Sequence, residues 1–289
     1  MGSFNFLSPR IPLGSWIESF FNWFQQAFDW LISFVNFVVG GMYNGLEAVL
    51  GAPLYLIMIV ILAAIAWLCA SWKVAVFTLI GFYIIRAVDQ WDNAMQTLSL
   101  VIVAVVIALI IAIPLGIWAA KSKKFSAIIK PILDFMQTMP SLAYFVPVIV
   151  LFGIGQVPGA IATIIFALPP GVRFTELGIR QVDTETVEAG AAFGASPGHI
   201  LTRIQIPLAM PTIMAGVNQV IMLALSMVVL SGMVGAGALG GEVVAALSQV
   251  DIGLGMEAGV AVVVVAVFLD RITSGLANRT PLARAQRAS

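Results

Sequence analysis

Glu188-Ala189-Gly190-Ala191-Ala192-Phe193-Gly194, followed nine residues later by Ile204-Gln205-Ile206-Pro207, is a small-residue, charged, helix–turn–helix pattern set between long apolar runs. The runs on either side decide the class. Of 289 residues, 61% are hydrophobic and 10% charged, and the mean hydropathy is +1.04. A soluble domain carries about 25% charged residues, so this chain is built for lipid. The pattern read on its own, over residues 181–207, predicts two short helices and a turn. Asp183-Thr184-Glu185 supplies a polar cap and a negative first turn. Residues 187–193 continue the helix, and Gly194 ends it. Ser196-Pro197 opens the next helix in the favoured order, a cap and then proline at the first helical position. Ile200, Leu201, Ile204 and Pro207 return the chain to the bilayer. A first helix of small residues lets another surface approach its backbone, and Glu188 is a charge offered to that surface. The alternative is an ordinary cytoplasmic hairpin.

Outward from this loop the apolar runs are counted as spans, each needing about 20 mostly apolar residues. Candidates are 53–71, 74–88, 94–120, two from the uncharged stretch 135–172, then 208–231 and 255–276, seven in all. The stretch 135–172 divides at Gly153-Ile154-Gly155-Gln156-Val157-Pro158-Gly159, where glycine and proline favour a turn. With the N-terminus outside, Lys73, Lys121, Lys123, Lys124, Lys130, Arg173, Arg180, Arg203, Arg271, Arg279, Arg284 and Arg287 fall inside. Only Arg10 and Arg86 remain outside. Such a bias sets orientation, so the C-terminus and the Glu188 loop are expected in the cytoplasm. The start lacks a positive n-region and an A-x-A site, so no cleaved signal peptide is expected.

Ahead of the first span, residues 15–38 read as one amphipathic helix. Glu18, Asn22, Gln25, Asp29, Ser33 and Asn36 share one side, and Trp16, Phe20, Phe24, Ala27, Leu31 and Phe34 the other. Such a helix lies along the outer membrane–water boundary, as a docking shelf for an external partner or as a packing strap over the bundle. The further alternative is a helix that crosses the membrane with its polar stripe against protein.

The spacing E-A-(A), three residues, G, nine residues, I-x-(L)-P resembles the signature loop of the permease subunits of ATP-binding-cassette importers. Glu188, Ala189, Gly194, Ile204 and Pro207 match it; Gly190 stands where that pattern has alanine, and Ile206 where it has leucine. The resemblance covers about residues 94–273. Residues 130–140, with the front end of residues 1–52 and the two leading spans of 53–93, resemble the glycine betaine/proline (quaternary-amine) type; residues 274–289 would be a cytoplasmic tail. The resemblance implies an all-α polytopic membrane protein of the type I ABC importer permease fold in the bacterial inner membrane. It also implies a second permease copy (a homodimer), two ATPase subunits carrying ATP and Mg, and an external binding protein that delivers a small zwitterionic osmolyte. Glu188, Ala189, Gly190, Gly194, Ile204 and Pro207 would then couple the chain to its motor. The chain itself would be no enzyme and bind no cofactor; it contains no G-x-x-x-x-G-K-[ST] phosphate loop.

Other features are weaker. Met139-Pro140, Pro169-Pro170-Gly171 and Pro114 are expected to break or kink spans, lining the pathway or simply reflecting the frequency of proline in membrane helices. Tyr144 and Phe145 offer ring faces to a cationic solute, or they are packing aromatics. The tract 232–241 is read as an outer loop, with a close helix contact as the alternative. Met210, Met214, Met222 and Met227 read as core. Cys69 and His199 are far apart in sequence, which gives a metal centre no support, and nothing suggests nucleic acid. The rivals are an ABC permease for another amino acid, choline or carnitine, and a gradient-driven carrier or channel, which would carry charges at the bilayer midplane. A membrane-embedded enzyme finds no paired nucleophile or acid–base cluster.

Overall fold

The computed structural model describes residues 12–277; the expected polar tail 278–289 and Arg10 lie outside the described residues. In chain order, α1 (Leu13–Ala27) and α2 (Asp29–Gly51) precede a hairpin of α3 (Tyr55–Cys69) and α4 (Trp72–Ala87). Next come α5 (Trp91–Lys121), α6 (Lys123–Thr138), α7 (Phe145–Phe152) and α8 (Gln156–Arg180). Two short helices, α9 (Thr184–Ala192) and α10 (Pro197–Ile200), lead to α11 (Ile206–Ser231), α12 (Ala238–Gln249) and α13 (Ile252–Ala277).

The centre of the bundle is α8, packed between α5 and α11. Lipid is as apolar as leucine, so helices in a membrane associate by close packing and internal hydrogen bonds rather than by hydrophobic transfer. The contacts fit that rule. A Cβ added at Gly116 of α5 would lie 2.7 Å from the Val172 carbonyl oxygen and 2.5 Å from Thr175 Cβ. The Thr175 hydroxyl, buried at this crossing, donates to the Gly171 carbonyl at 2.7 Å, so no polar atom is left bare. The α3–α4 hairpin flanks α13: the Phe82 and Phe268 rings meet edge to face at 5.2 Å. One turn farther along α4 the Arg86 guanidinium lies over the Tyr55 ring, 5.3 Å from the centroid.

Four helical segments among the described residues are long and apolar enough to cross a membrane: Trp91–Lys121, Gln156–Arg180, Pro197–Val234 and Ile252–Ala277. Two bent pairs, α2 with α3 at 107° and α6 with the Ser141–Phe152 segment at 109°, bring the number up to six if each pair is one span. Composition counts seven, and the difference is α4. With 16 residues it extends about 24 Å at 1.5 Å per residue; α3, with 15, is no longer than that and enters the count only through its bent pairing with α2.

The amphipathic stretch 15–38 is two helices, not one. Phe28 leaves helical geometry at φ −119°, ψ 25°, and its ring packs on Phe24 at 4.7 Å. Beyond it α2 runs on to Gly51 and buries Val39, Tyr43 and Leu50, while α1 buries nothing. The stretch 135–172 breaks where expected, with Gly153 and Gly155 at φ +82° and +137°, and again at Met139-Pro140. Pro114, Pro169 and Pro170, in contrast, lie inside unbroken helices. The 232–241 tract is not an outer loop. Its second half begins α12, whose Leu239 N–H donates to Thr97 Oγ1 of α5 at 3.0 Å, and Gly232 presses on the Gly240 backbone. Of the methionine stripe, Met227 is fully buried and Met222 faces outward.

Candidate coupling loop

The loop is built from its caps. Asp183 Oδ1 accepts from the Glu185 N–H at 3.0 Å, which starts α9. The helix ends in a Schellman motif: the Gly194 N–H donates to the Ala191 carbonyl at 2.9 Å, and the Ala195 N–H to the Gly190 carbonyl at 3.1 Å. Gly194 sits at φ +83°, a left-handed position that a side chain would strain. Ser196 Oγ accepts from the His199 N–H at 3.3 Å, and Pro197 opens α10 at the first turn. A π-helical turn, Leu201–Gln205, then carries the chain into α11, with the Ile206 N–H donating to the Leu201 carbonyl. Its physical cause is Pro207, which has no N–H to continue the regular ladder and whose ring clashes with a preceding carbonyl.

These elements divide the sequence-selected residues into two groups. Gly190 and Ile204 form the internal joint. A Cβ at Gly190 would approach Ile204 Cδ1 at 2.6 Å and Ile200 Cγ1 at 3.7 Å. Glu188, Ala189 and Pro207 are exposed, and Glu185, Glu188, Ala189 and Ala192 share the outward side of α9 at 100° per residue. Sequence reasoning missed Phe193 as a contact group; it is 92% exposed beside Gly194, and a bare phenylalanine at a helix end is the kind of anchor that interfaces bury. Because only a flexible side-chain end opposes a methyl at Gly190, Gly190→Ala is expected to keep uptake within about twofold, with Ile204 shifting its terminal methyl. A loss of more than tenfold in a transport assay would show that the joint has no such slack.

The residues chosen as pathway candidates gather at the α6–α7 break, except two. Met139 is half-buried and Pro140 exposed. Tyr144 and Phe145 are buried against Ile161 and Ala162 of α8 and Met227 of α11. The Tyr144 hydroxyl donates to the Met136 carbonyl, closing the break, and its ring meets Phe166 at 6.0 Å. Pro169 and Pro170 are buried farther along α8, where Gly171 abuts Ala112 and Val220.

A second residue that sequence reasoning missed is Glu176, on α8 just before the loop and only 5% exposed at its side chain. The Glu176/Arg180 spacing of four was the available signal. It gave no hint of the partners on α6, some fifty residues earlier.

The chain matches the family model described as the binding-protein-dependent transport system inner membrane component over residues 112–280. It is 45% identical over 268 residues to the glycine betaine transport system permease protein OpuAB of Bacillus subtilis (strain 168), covering 93% of this chain and 95% of that protein. It is 44% identical over 277 residues to the glycine betaine/proline betaine transport system permease protein ProW of Escherichia coli (strain K12), covering 94% and 78%. Among solved structures, the inward facing MetNI methionine ABC transporter matches with a TM-score of 0.56 at 22% identity, over 65% of this chain and 92% of that one. That likeness is one of fold, and it agrees with the all-helical importer architecture expected from the loop. With a capped helical loop set on a small-residue bundle and this degree of similarity to known permeases, the chain belongs to the binding-protein-dependent transport system inner membrane component family.

Proposed function

We propose that this permease forms the transmembrane pathway of an ABC importer for glycine betaine and related betaines, moved by a separate ATPase that grips the 181–207 loop. The observation that carries the reading is a loop rigid inside and open outside. Caps at Asp183, Gly194 and Ser196 and the Gly190–Ile204 joint hold it, while Glu188 and Phe193 are presented to a partner. A rigid element moved as a body is how closure of a remote motor reaches packed helices. The substrate class rests on the relatives, whose names specify glycine betaine and proline betaine transport.

The assembly in this reading has two permease copies, two ATPase subunits that carry ATP and Mg, and a binding protein on the opposite face. The N-terminus is outside and the C-terminus inside, following the lysine and arginine bias, which requires an odd number of crossings and so counts the short α4 as the seventh. The solute crosses intact, with no covalent step. The tagged chain, purified in mild detergent from its own host, is expected to bring down a P-loop ATPase in equal copy number, and Phe193→Asp to release it. Recovery of the permease without any nucleotide-binding subunit would refute the reading.

A further inference from the structure

We infer that Glu176 is a positioning residue that makes α6 travel with the loop; this rests on the function proposed above. Its Oε1 accepts from Ser126 Oγ at 2.7 Å, and it forms ion pairs with Arg180 Nε at 3.0 Å and Lys130 Nζ at 3.4 Å. Arg180 in turn donates through Nη2 to the Ala119 carbonyl in the last turn of α5 at 2.8 Å. One carboxylate thus joins the ends of α5 and α8, where the loop begins, to the first turns of α6. A second pair, Arg173 with Asp134, ties α8 to α6 farther along, but both of its members are substantially exposed and water weakens it.

Glu176 differs because it is buried. Sliding α6 off α8 would strip a largely buried carboxylate of Ser126 and Lys130 and leave it Arg180 alone, and a buried charge that loses partners is disfavoured. The charge therefore adds to packing in opposing separation of the two helices. A displacement of the loop passes through Arg180 and Glu176 into α6 and reaches the Met139-Pro140 break at its far end. A neutral amide of the same shape keeps the volume and one hydrogen bond and removes that penalty, so α8 would move with the loop while α6 lags.

The test is proteoliposomes holding the complete importer, with internal ATP and external binding protein loaded with radiolabelled glycine betaine, reading ATP hydrolysed per solute accumulated. Glu176→Gln is expected to raise that ratio about tenfold, and Lys130→Gln, which alters a half-exposed partner and spares the fold, about threefold. Thermal stability and subunit recovery stay at wild-type levels in the lysine variant. A merely structural role would lower hydrolysis and uptake together and leave the ratio unmoved. Unchanged ratios in both variants beside an ATP-driven wild type would overturn this inference alone, as would an unchanged ratio for Lys130→Gln should the glutamine variant fail to assemble. Uptake by the wild type without ATP would instead overturn the function on which it rests.

Discussion

Glu188→Lys is expected to abolish coupled uptake while leaving the chain folded, inserted and able to receive its binding protein. Glu188 is exposed on the outer side of α9, and surface substitutions away from caps and cores change stability by no more than about 0.5 kcal/mol. The fold has no reason to suffer. The proposed contact with the motor does. Reversing a charge that is desolvated at an interface costs about 2–5 kcal/mol, roughly a 30-fold or greater loss of affinity. Solute uptake in whole cells should fall by at least that factor, with normal membrane levels on an immunoblot. Uptake at the wild-type rate would remove Glu188 from the coupling surface.

Gly232→Val is expected to have the largest effect on stability of any single change far from the loop. A Cβ at this position would sit 2.1 Å from the Gly240 carbonyl carbon and 2.4 Å from the Gly241 nitrogen. Those are backbone atoms of the first turn of α12, and they cannot rotate away as a side chain can. The helix would have to leave its seat on α5, breaking the Leu239–Thr97 hydrogen bond. Overpacking of this kind costs about 3 kcal/mol or more. Gly241→Ala makes a control in the same tract, since nothing lies within 4 Å of its added methyl, and should change stability by less than about 0.5 kcal/mol. Thermal unfolding in detergent separates the two; equal melting temperatures would mean that the Gly232–Gly240 contact does not exist in the folded protein.

The loop was legible in the sequence because its signals are local. Asp183, Gly194 and Ser196-Pro197 act on backbone groups within five residues, so residue type and spacing suffice to name a cap. The breaks at 139–140 and 153–155 follow from the same short-range chemistry of proline and glycine. Features that depend on what arrives from elsewhere were not legible. The 232–241 tract has the composition of a loop, and only the approach of Gly240 to Gly232 turns it into a helix contact. Phe28 interrupts a polar–apolar periodicity that runs through it unchanged, so the division of α1 from α2 left no trace in the pattern. The prolines at 114, 169 and 170 read as breaks or kinks, and they stay within continuous helices, with neighbouring helices packed around them. Glu176 is the sharpest case: in sequence it is a charge four residues before Arg180, and it is buried beside Ser126 and Lys130 of α6.

In the proposed mechanism this chain moves solute only when a separate ATPase moves its loop. Reconstitution of the purified permease into liposomes, with and without the ATPase subunit and ATP, measures that directly through uptake of labelled glycine betaine from its loaded binding protein. The expected result is accumulation only when subunit and nucleotide are both present. Accumulation by the permease alone, driven by a solute or ion gradient, would contradict the claim.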